Sequence, residues 1–141
     1  MKKIVIFFVI VIAILGTFCY IYGQEKIAHN AKVANNNQYE KLLDKEITGV
    51  DLASTINKVI NSNEENNVEK DKNGVFINNN ENSIEVTIKF KDSEDIFHIE
   101  QIYNNDIKKF IELYSISKFK CISLTYHKKT KMVKSMYFEE V

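Results

Sequence analysis

The sequence predicts an α+β protein in which one N-terminal membrane helix precedes a small folded domain. Three observations support this prediction. Residues 4–22 form an uncharged apolar run, residues 84–90 alternate apolar and polar side chains, and residues 107–114 carry apolar side chains at helical spacing. One long apolar run is typical of a transmembrane helix, and a mixture of strand and helix periods favours helices packed on a sheet.

The apolar run has the length of a membrane-spanning helix. Its 19 residues would extend about 28 Å at ~1.5 Å per residue, close to the ~30 Å hydrocarbon core of a bilayer. A cleavable signal peptide has a shorter core and small residues before the cleavage site, whereas this run ends in FCYIY. Cys19 raises a lipoprotein alternative, but the bulky Phe18 precedes it. We therefore expect residues 1–23 to be a retained signal anchor that contacts the bilayer through residues 4–22.

The lysines around the run predict its orientation. Lys2 and Lys3 precede the run, and Lys26 and Lys32 follow it with Glu25 beside them. Because lysine-rich flanks stay in the cytoplasm, we expect a single-pass protein of the cell membrane with its N-terminus cytoplasmic and its C-terminal domain outside.

Composition excludes some classes of function. All 19 basic residues are lysine and 19 residues are acidic, so the formal net charge is zero and we expect no nucleic-acid partner. Cys121 is the one cysteine outside the apolar run, so the domain cannot form an internal disulfide.

The segment after the anchor predicts a stalk and then a first domain helix. Residues 24–48 carry an imperfect helical stripe that three consecutive asparagines interrupt, and we interpret them as a helical stalk. Gly49 breaks the chain, and Thr48 or Asp51 can cap a helix with one apolar face. That face consists of Leu52, Ile56, Val59 and Ile60. We place the extracytoplasmic domain at residues 49–141.

The strand periods predict an antiparallel sheet. A turn at residues 92–95 would pair Phe90 with Phe97 and Ile88 with Ile99, and a further strand would contain Val75 and Ile77. A helix follows at 107–114. A last hairpin, residues 118–126 and 131–139, would set Leu124 against Val133 and Cys121 against Met136. The predicted order is α-α-β-β-β-α-β-β.

The sharpest catalytic hypothesis is a zinc site built from His98, Glu100, Cys121 and His127, because imidazole and thiolate are good zinc ligands. The predicted register opposes it, since Lys89 would lie opposite His98. The sequence contains neither HExxH nor CxxC, and its four glycines are too scattered to cradle phosphate. We therefore expect no catalytic, cofactor-binding or metal-binding residues, no cofactor, and no enzyme activity.

A basic patch on the last hairpin is the candidate interaction surface. It consists of His127, Lys128, Lys129, Lys131 and Lys134. Such a patch could contact anionic lipid headgroups, cell-surface polymers or an acidic protein. Lysines at a hairpin turn also serve simply to keep sheet edges soluble.

Three segments of the chain resemble small signal-anchored membrane proteins of low-GC Gram-positive bacteria. They are TGVDLASTINK at 48–58, SIEVTIKF at 83–90 and FKCISLTYHKKTKMVKSMYFEE at 119–140. The resemblance implies location and fold and carries no catalytic residue. The layout is also similar to type IV pilins and pseudopilins, but the small residue before the prepilin cut and the glutamate inside the apolar run are missing here.

The function that these patterns favour is a non-enzymatic membrane protein whose domain binds a protein partner in the cell envelope. A pilin-like assembly subunit is one alternative. A small metal-binding or hydrolytic domain is the other.

The retained anchor is testable by the mass of the mature protein. We expect intact mass spectrometry of the membrane fraction to give a chain that still contains residues 4–22, and external protease to digest the C-terminal domain in intact cells. A mature product that starts after residue 23 would show that the segment is a cleaved signal.

Overall fold

The computed structural model describes residues 2–141 as two compact units, and each is described by itself. The first unit ends at Ala34, and the second comprises Asn35–Val141. Helix α1, Lys2–Glu40, contributes to both units.

The first unit consists of the apolar part of α1. Its most apolar 18-residue window has a mean hydropathy of 3.0, and none of that window is buried. Within residues 2–141, α1 is the one helix that is long and apolar enough to cross a membrane. A helix that exposes apolar side chains on every side is stable in lipid and unfavourable in water.

The second unit confirms the α+β fold class and contains eight further elements. They are β1 (Glu46–Thr48), α2 (Gly49–Glu65), β2 (Glu85–Lys89), β3 (Ile96–His98), α3 (Ile99–Asn104), α4 (Ile107–Tyr114), β4 (Lys118–Tyr126) and β5 (Val133–Glu140). The five strands form one sheet in the order β1-β4-β5-β2-β3. Helix α2 and the apolar face of the sheet enclose the core.

The sheet is mixed, whereas the sequence predicted an antiparallel one. All five strands pair antiparallel to at least one neighbour, but β2 also pairs with β5 in parallel, with Val86 opposite Met136 and Ile88 opposite Phe138. Alternation of apolar residues marks a strand and its buried face, but it does not determine which distant strand lies beside it. The connection from β2 to β5 passes through α3, α4 and β4, so local turn patterns could not reveal this pairing.

Both hairpin registers differ from the predicted ones. Ile88 lies opposite Phe97, because the turn after β2 starts at Phe90 and β3 ends at His98. In the last hairpin Cys121 lies opposite Phe138 and Leu124 opposite Met136, because the turn extends to Met132 and sets Tyr126 opposite Val133. The predicted strand at Val75 and Ile77 is not part of the sheet; nearby Phe76 instead bridges to Lys70, which lies 4.5 Å above its ring.

The predicted stalk is partly built into the folded unit. This unit begins at Asn35 rather than at residue 49, and Tyr39 is fully buried in its core. The Asn36 side chain donates to the Lys131 carbonyl (2.9 Å) and accepts from the Val133 amide (3.1 Å). One of the asparagines that interrupt the apolar stripe, Asn36, therefore supplies hydrogen bonds to the domain.

Helix α2 begins at the predicted cap. Thr48 Oγ1 accepts from the Asp51 amide (3.2 Å), and the Thr48 amide donates to Asp51 Oδ2 (3.3 Å), which forms a capping box. Gly49 lies directly against α4, because a Cβ at this position would come within 1.9 Å of the Tyr114 carbonyl oxygen. Only glycine permits this approach.

A buried amide fixes the start of β2. Asn63 on α2 is fully buried; it donates to the Ile84 carbonyl and accepts from the Ile84 amide, both at 2.8 Å. These two hydrogen bonds satisfy backbone groups that no neighbouring strand reaches.

Replacing Asn63 with alanine should therefore destabilise the folded unit. We expect Asn63→Ala to lower the free energy of unfolding by about 2 to 4 kcal/mol, because two buried backbone groups lose their partners. Urea unfolding of the full chain in detergent, followed by circular dichroism, measures this change. Asn61→Ala on the exposed side of α2 is the matched control and should change the free energy by less than about 0.5 kcal/mol. Equal effects of the two substitutions would contradict this role of Asn63.

Candidate functional site

The turn between β4 and β5 carries the predicted basic patch. The His127 amide donates to the Met132 carbonyl, and the Lys131 amide donates back to the His127 carbonyl, both at 2.9 Å. Lys131 adopts a left-handed backbone conformation with φ of 61°. Four lysines lie in this loop or at the start of β5, and we name them the basic turn: Lys128, Lys129, Lys131 and Lys134.

His127 does not belong to this surface, which corrects the sequence-based patch. The side chain is buried, and its Nε2 lies 2.7 Å from the Ser83 carbonyl oxygen. The local sequence predicted an exposed His127 in a polar turn. In the fold, the residues before β2 cover the His127 side chain. His127 therefore ties the turn to the start of β2.

One lysine of the basic turn is neutralised locally. Lys129 forms an ion pair with Glu81, whose carbonyl also accepts from Thr130 Oγ1 (2.7 Å). The hydrogen bond from Lys129 lowers the pKa of the Glu81 carboxyl and raises the pKa of Lys129. Among the residues that the structure describes, Lys128, Lys131 and Lys134 form no ion pair.

The end of α1 lies beside the basic turn. Besides the contacts of Asn36, Tyr126 donates a hydrogen bond to Glu40 (2.8 Å), which raises the pKa of the Tyr126 phenol. A cavity of about 580 Å³ opens at the turn. It is lined by Asn80, Thr125, Tyr126, His127, Lys128, Lys129 and Lys134.

A second surface lies at the other end of the strands and was not predicted from the sequence. A groove of about 520 Å³ opens between the β2–β3 turn and helices α3 and α4, and we name it the aromatic groove. It is lined by Phe90, Asp92, Ser93, Phe97, Gln101, Ile102, Asn105, Asp106, Lys109, Phe110, Leu113 and Tyr114. The volume lies within the range of ordinary ligand sites.

Contacts between aromatic rings build the floor of the groove. The Phe90 ring centroid lies 5.3 Å from that of Phe97, 4.8 Å from that of Tyr114 and 6.4 Å from that of Phe110. Edge and tilted contacts of this kind stabilise ring clusters beyond the burial of their area. Leu113 stands at the wall with 64% of its surface exposed.

The strand directions place the two surfaces at opposite ends of the sheet. Since β2 and β5 run parallel and β4 runs against them, the 127–132 turn lies where β2 begins, and Phe90 lies where β2 ends. The two ends also differ in charge. Residues 91–114, which build most of the groove, contain six acids and three lysines, whereas residues 118–134 contain six lysines and no acid.

The residues of the zinc hypothesis are not brought together. His98 lies on the outer face of the sheet, where Nδ1 is 3.7 Å from Glu85 Oε1, and Cys121 is buried on the core face. Glu100 is buried on α3, near the Phe76 amide, and not on the exposed strand that the sequence predicted. Within residues 2–141, no three His, Cys, Asp or Glu side chains are grouped as metal ligands.

One signal in the sequence could have revealed the groove. The apolar stripe predicted for 107–114 contains Ile107, Phe110, Ile111 and Tyr114, and Leu113 falls outside it. A leucine off the buried stripe of a short helix marks apolar surface that the domain itself does not cover.

Comparisons of the chain with protein-family models, with curated proteins and with solved structures found no match.

The environment of Cys121 makes a prediction about its reactivity. Burial, together with the nearby Asp44 carboxylate, raises the pKa of the thiol to about 11 from an ordinary value of 9.0. The thiolate fraction near pH 8 is therefore about 100-fold lower than in the unfolded chain. With Cys19 replaced by alanine, we expect maleimide to label the native full chain at least about 100-fold more slowly than the urea-unfolded chain.

The sign of this shift also sets the pH dependence of labelling. Because the folded pKa is raised, the neutral thiol persists until the pH approaches about 11, and labelling of the native chain should stay slow at pH 9. Labelling as fast as that of the unfolded chain at pH 8 would contradict the burial of the Cys121 thiol and would support the hydrolytic alternative.

Proposed function

We propose that this chain is a single-pass membrane protein that holds a non-enzymatic binding module at the outer side of the cell membrane. Residues 4–22 serve as an uncleaved anchor with the N-terminus in the cytoplasm, and Asn35–Val141 form the module. The exposed apolar surface of the first unit supports the anchor, since no packed core covers it. The lysines before the apolar run support the orientation.

The aromatic groove is the observation that carries the binding function. Its floor of packed rings is rigid, and its wall exposes Leu113 to solvent. A single exposed leucine is ordinary, but a leucine at the mouth of a groove with an aromatic floor is typical of a site that takes an apolar side chain. The groove therefore fits a protein segment that inserts one apolar residue.

Charge at the rim defines the partner further. Asp92 and Asp106 line the groove together with Lys109, and the adjoining turn adds Glu94 and Asp95. Complementary charge steers encounters and disfavours partners of like charge. The proposed occupant is thus a segment of an envelope protein in which lysines or arginines flank an apolar side chain.

Binding of matched peptides to the full chain in detergent tests this function. We expect a peptide with a central leucine flanked by lysines to bind, and the same peptide flanked by glutamates to bind at least about 10-fold more weakly, because the rim repels it. Isothermal titration calorimetry or fluorescence anisotropy measures both affinities.

Substitution at the groove wall provides the control. Leu113→Lys removes the apolar wall and adds a repelling charge, so it should weaken binding of the lysine-flanked peptide by about 10-fold or more. Ile122→Lys makes the same change at an exposed residue of β4 outside the groove and should leave the affinity unchanged. Equal affinities for the two peptides, or an equal loss in the two variants, would refute the groove as the site.

A further inference from the structure

The basic turn is tied to the part of the folded unit that the anchor reaches first. Asn36 binds the backbone of Lys131 and Val133 on either side of the turn. Asn36 follows Tyr22, the last residue of the apolar run, by only 14 residues. Even a fully extended chain of that length spans at most about 50 Å. Chain length therefore keeps the basic turn within about 50 Å of the end of the apolar run, a distance from which it can reach the membrane that contains residues 4–22.

The charges at the turn are available to a ligand. Glu81 is paired with Lys129, and Glu40 accepts a hydrogen bond from the Tyr126 hydroxyl rather than from a lysine. In the described part of the chain, the other three lysines of the turn have no acidic partner, and Lys128 and Lys131 are exposed. Two of these lysines, Lys128 and Lys134, line the cavity, and Lys131 lies in the same turn, so the three cations form a local positive field.

The opposite end of the unit carries the opposite sign. The aromatic groove and its turn contain Asp92, Glu94, Asp95 and Asp106. A negatively charged surface would attract the basic turn and repel the groove end. Both interactions favour one orientation.

We propose that the basic turn docks on the anionic surface of the same bilayer that holds the anchor, so that the aromatic groove faces away from the membrane. This inference rests on the membrane anchoring in the proposed function. The ligand chemistry is that of lipid phosphate headgroups presented as a surface. The lysine ammonium groups bind the headgroups as point charges, so the contact is screened by salt.

Lysine acylation of the full chain in nanodiscs tests the docking. The probe membranes are phosphatidylcholine alone and phosphatidylcholine mixed with phosphatidylglycerol, and peptide mass spectrometry measures the labelling rate of each lysine. On the anionic discs we expect Lys128, Lys131 and Lys134 to react about fivefold more slowly than on the neutral discs. Lys108, on α4, should react equally on both discs.

Salt and a soluble competitor sharpen the outcome. The protection should disappear at about 1 M salt, where the Debye length falls to ~3 Å. Equal rates on the two membranes, or equal slowing of every lysine, would overturn the proposal. Soluble polyphosphate added to neutral discs is the competitor. If polyphosphate slowed labelling of these lysines while anionic lipid did not, the docking proposal would be overturned and the turn would be assigned to a soluble polyanion.

A charge-removal variant distinguishes docking from other causes of slow labelling. The substitution Ser123→Cys, in a background with Cys19→Ala, provides a site for a cysteine-reactive fluorophore. Quenching of this fluorophore by a quencher in the lipid headgroups reports the distance between the two. Replacing Lys128 and Lys134 with glutamine and Lys131 with asparagine should abolish the difference in quenching between anionic and neutral discs. Asparagine tolerates the left-handed backbone of residue 131.

The matched control removes the same charge elsewhere. Glutamine at Lys72, Lys91 and Lys108 should leave the quenching difference intact, and an equal loss in both variants would refute a specific role of the turn. Recovery of the chain with the discs reports on the anchor separately. A chain that fails to enter the discs contradicts the proposed function, whereas a chain that enters without lysine protection contradicts only the docking.

Discussion

The parallel pairing of β2 with β5 is the contact on which the rest of the folded unit depends. It joins two antiparallel pairs, β2–β3 and β4–β5, that local turns could form independently. Their union places Val86, Ile88, Met136 and Phe138 on one continuous apolar face, which α2 covers. Burial of each of these side chains contributes roughly 1.5–3 kcal/mol to the stability of the folded unit. The same pairing also puts the basic turn and the aromatic groove at opposite ends.

Buried polar groups determine where this pairing starts. Asn63 holds the backbone of Ile84, and His127 contacts the carbonyl of the preceding residue, Ser83. Two side chains, one from α2 and one from the β4–β5 turn, therefore fix two consecutive residues just before β2. A shift of one residue would break these bonds and turn the apolar side chains of β2 to the outer face. The polar contacts thus specify the register that apolar burial then stabilises.

Elements with a strong local signal were predictable from the sequence. The apolar run, the helix capped at Thr48 and the two strands of the last hairpin all follow from residue spacing, and the structure has them. Strand β1 and the end of β3 were missed, because three-residue strands are set by pairing with β4 and β2 rather than by their own pattern. The predicted helical stalk is helical through residues 35–37, where its apolar stripe is interrupted, since contacts from Asn36 to the folded unit outweigh its low helix propensity.

The two candidate surfaces also differ in how much of each could be predicted from the sequence. The lysines of the basic turn are neighbours in sequence, so their cluster was visible, but the burial of His127 depends on residues 44 positions away. The aromatic groove joins residues from the β2–β3 turn, β3, α3 and α4, and its existence depends on how Phe90 meets Phe110 and Tyr114. Such a site has no sequence motif, because only the packed fold brings its walls together.

The remaining surfaces of the sheet are poorly suited to bind a partner, which strengthens the case for the groove. On the outer face, Glu46, Lys120, Glu139 and Lys89 lie side by side across four strands with alternating charge. Each charge in this row is balanced by the neighbouring side chains and by water. The edge strands β1 and β3 have three residues each, too short to template a further strand. A partner of the proposed kind would therefore recognise side chains rather than sheet backbone, and the groove offers apolar side chains above a floor of packed rings.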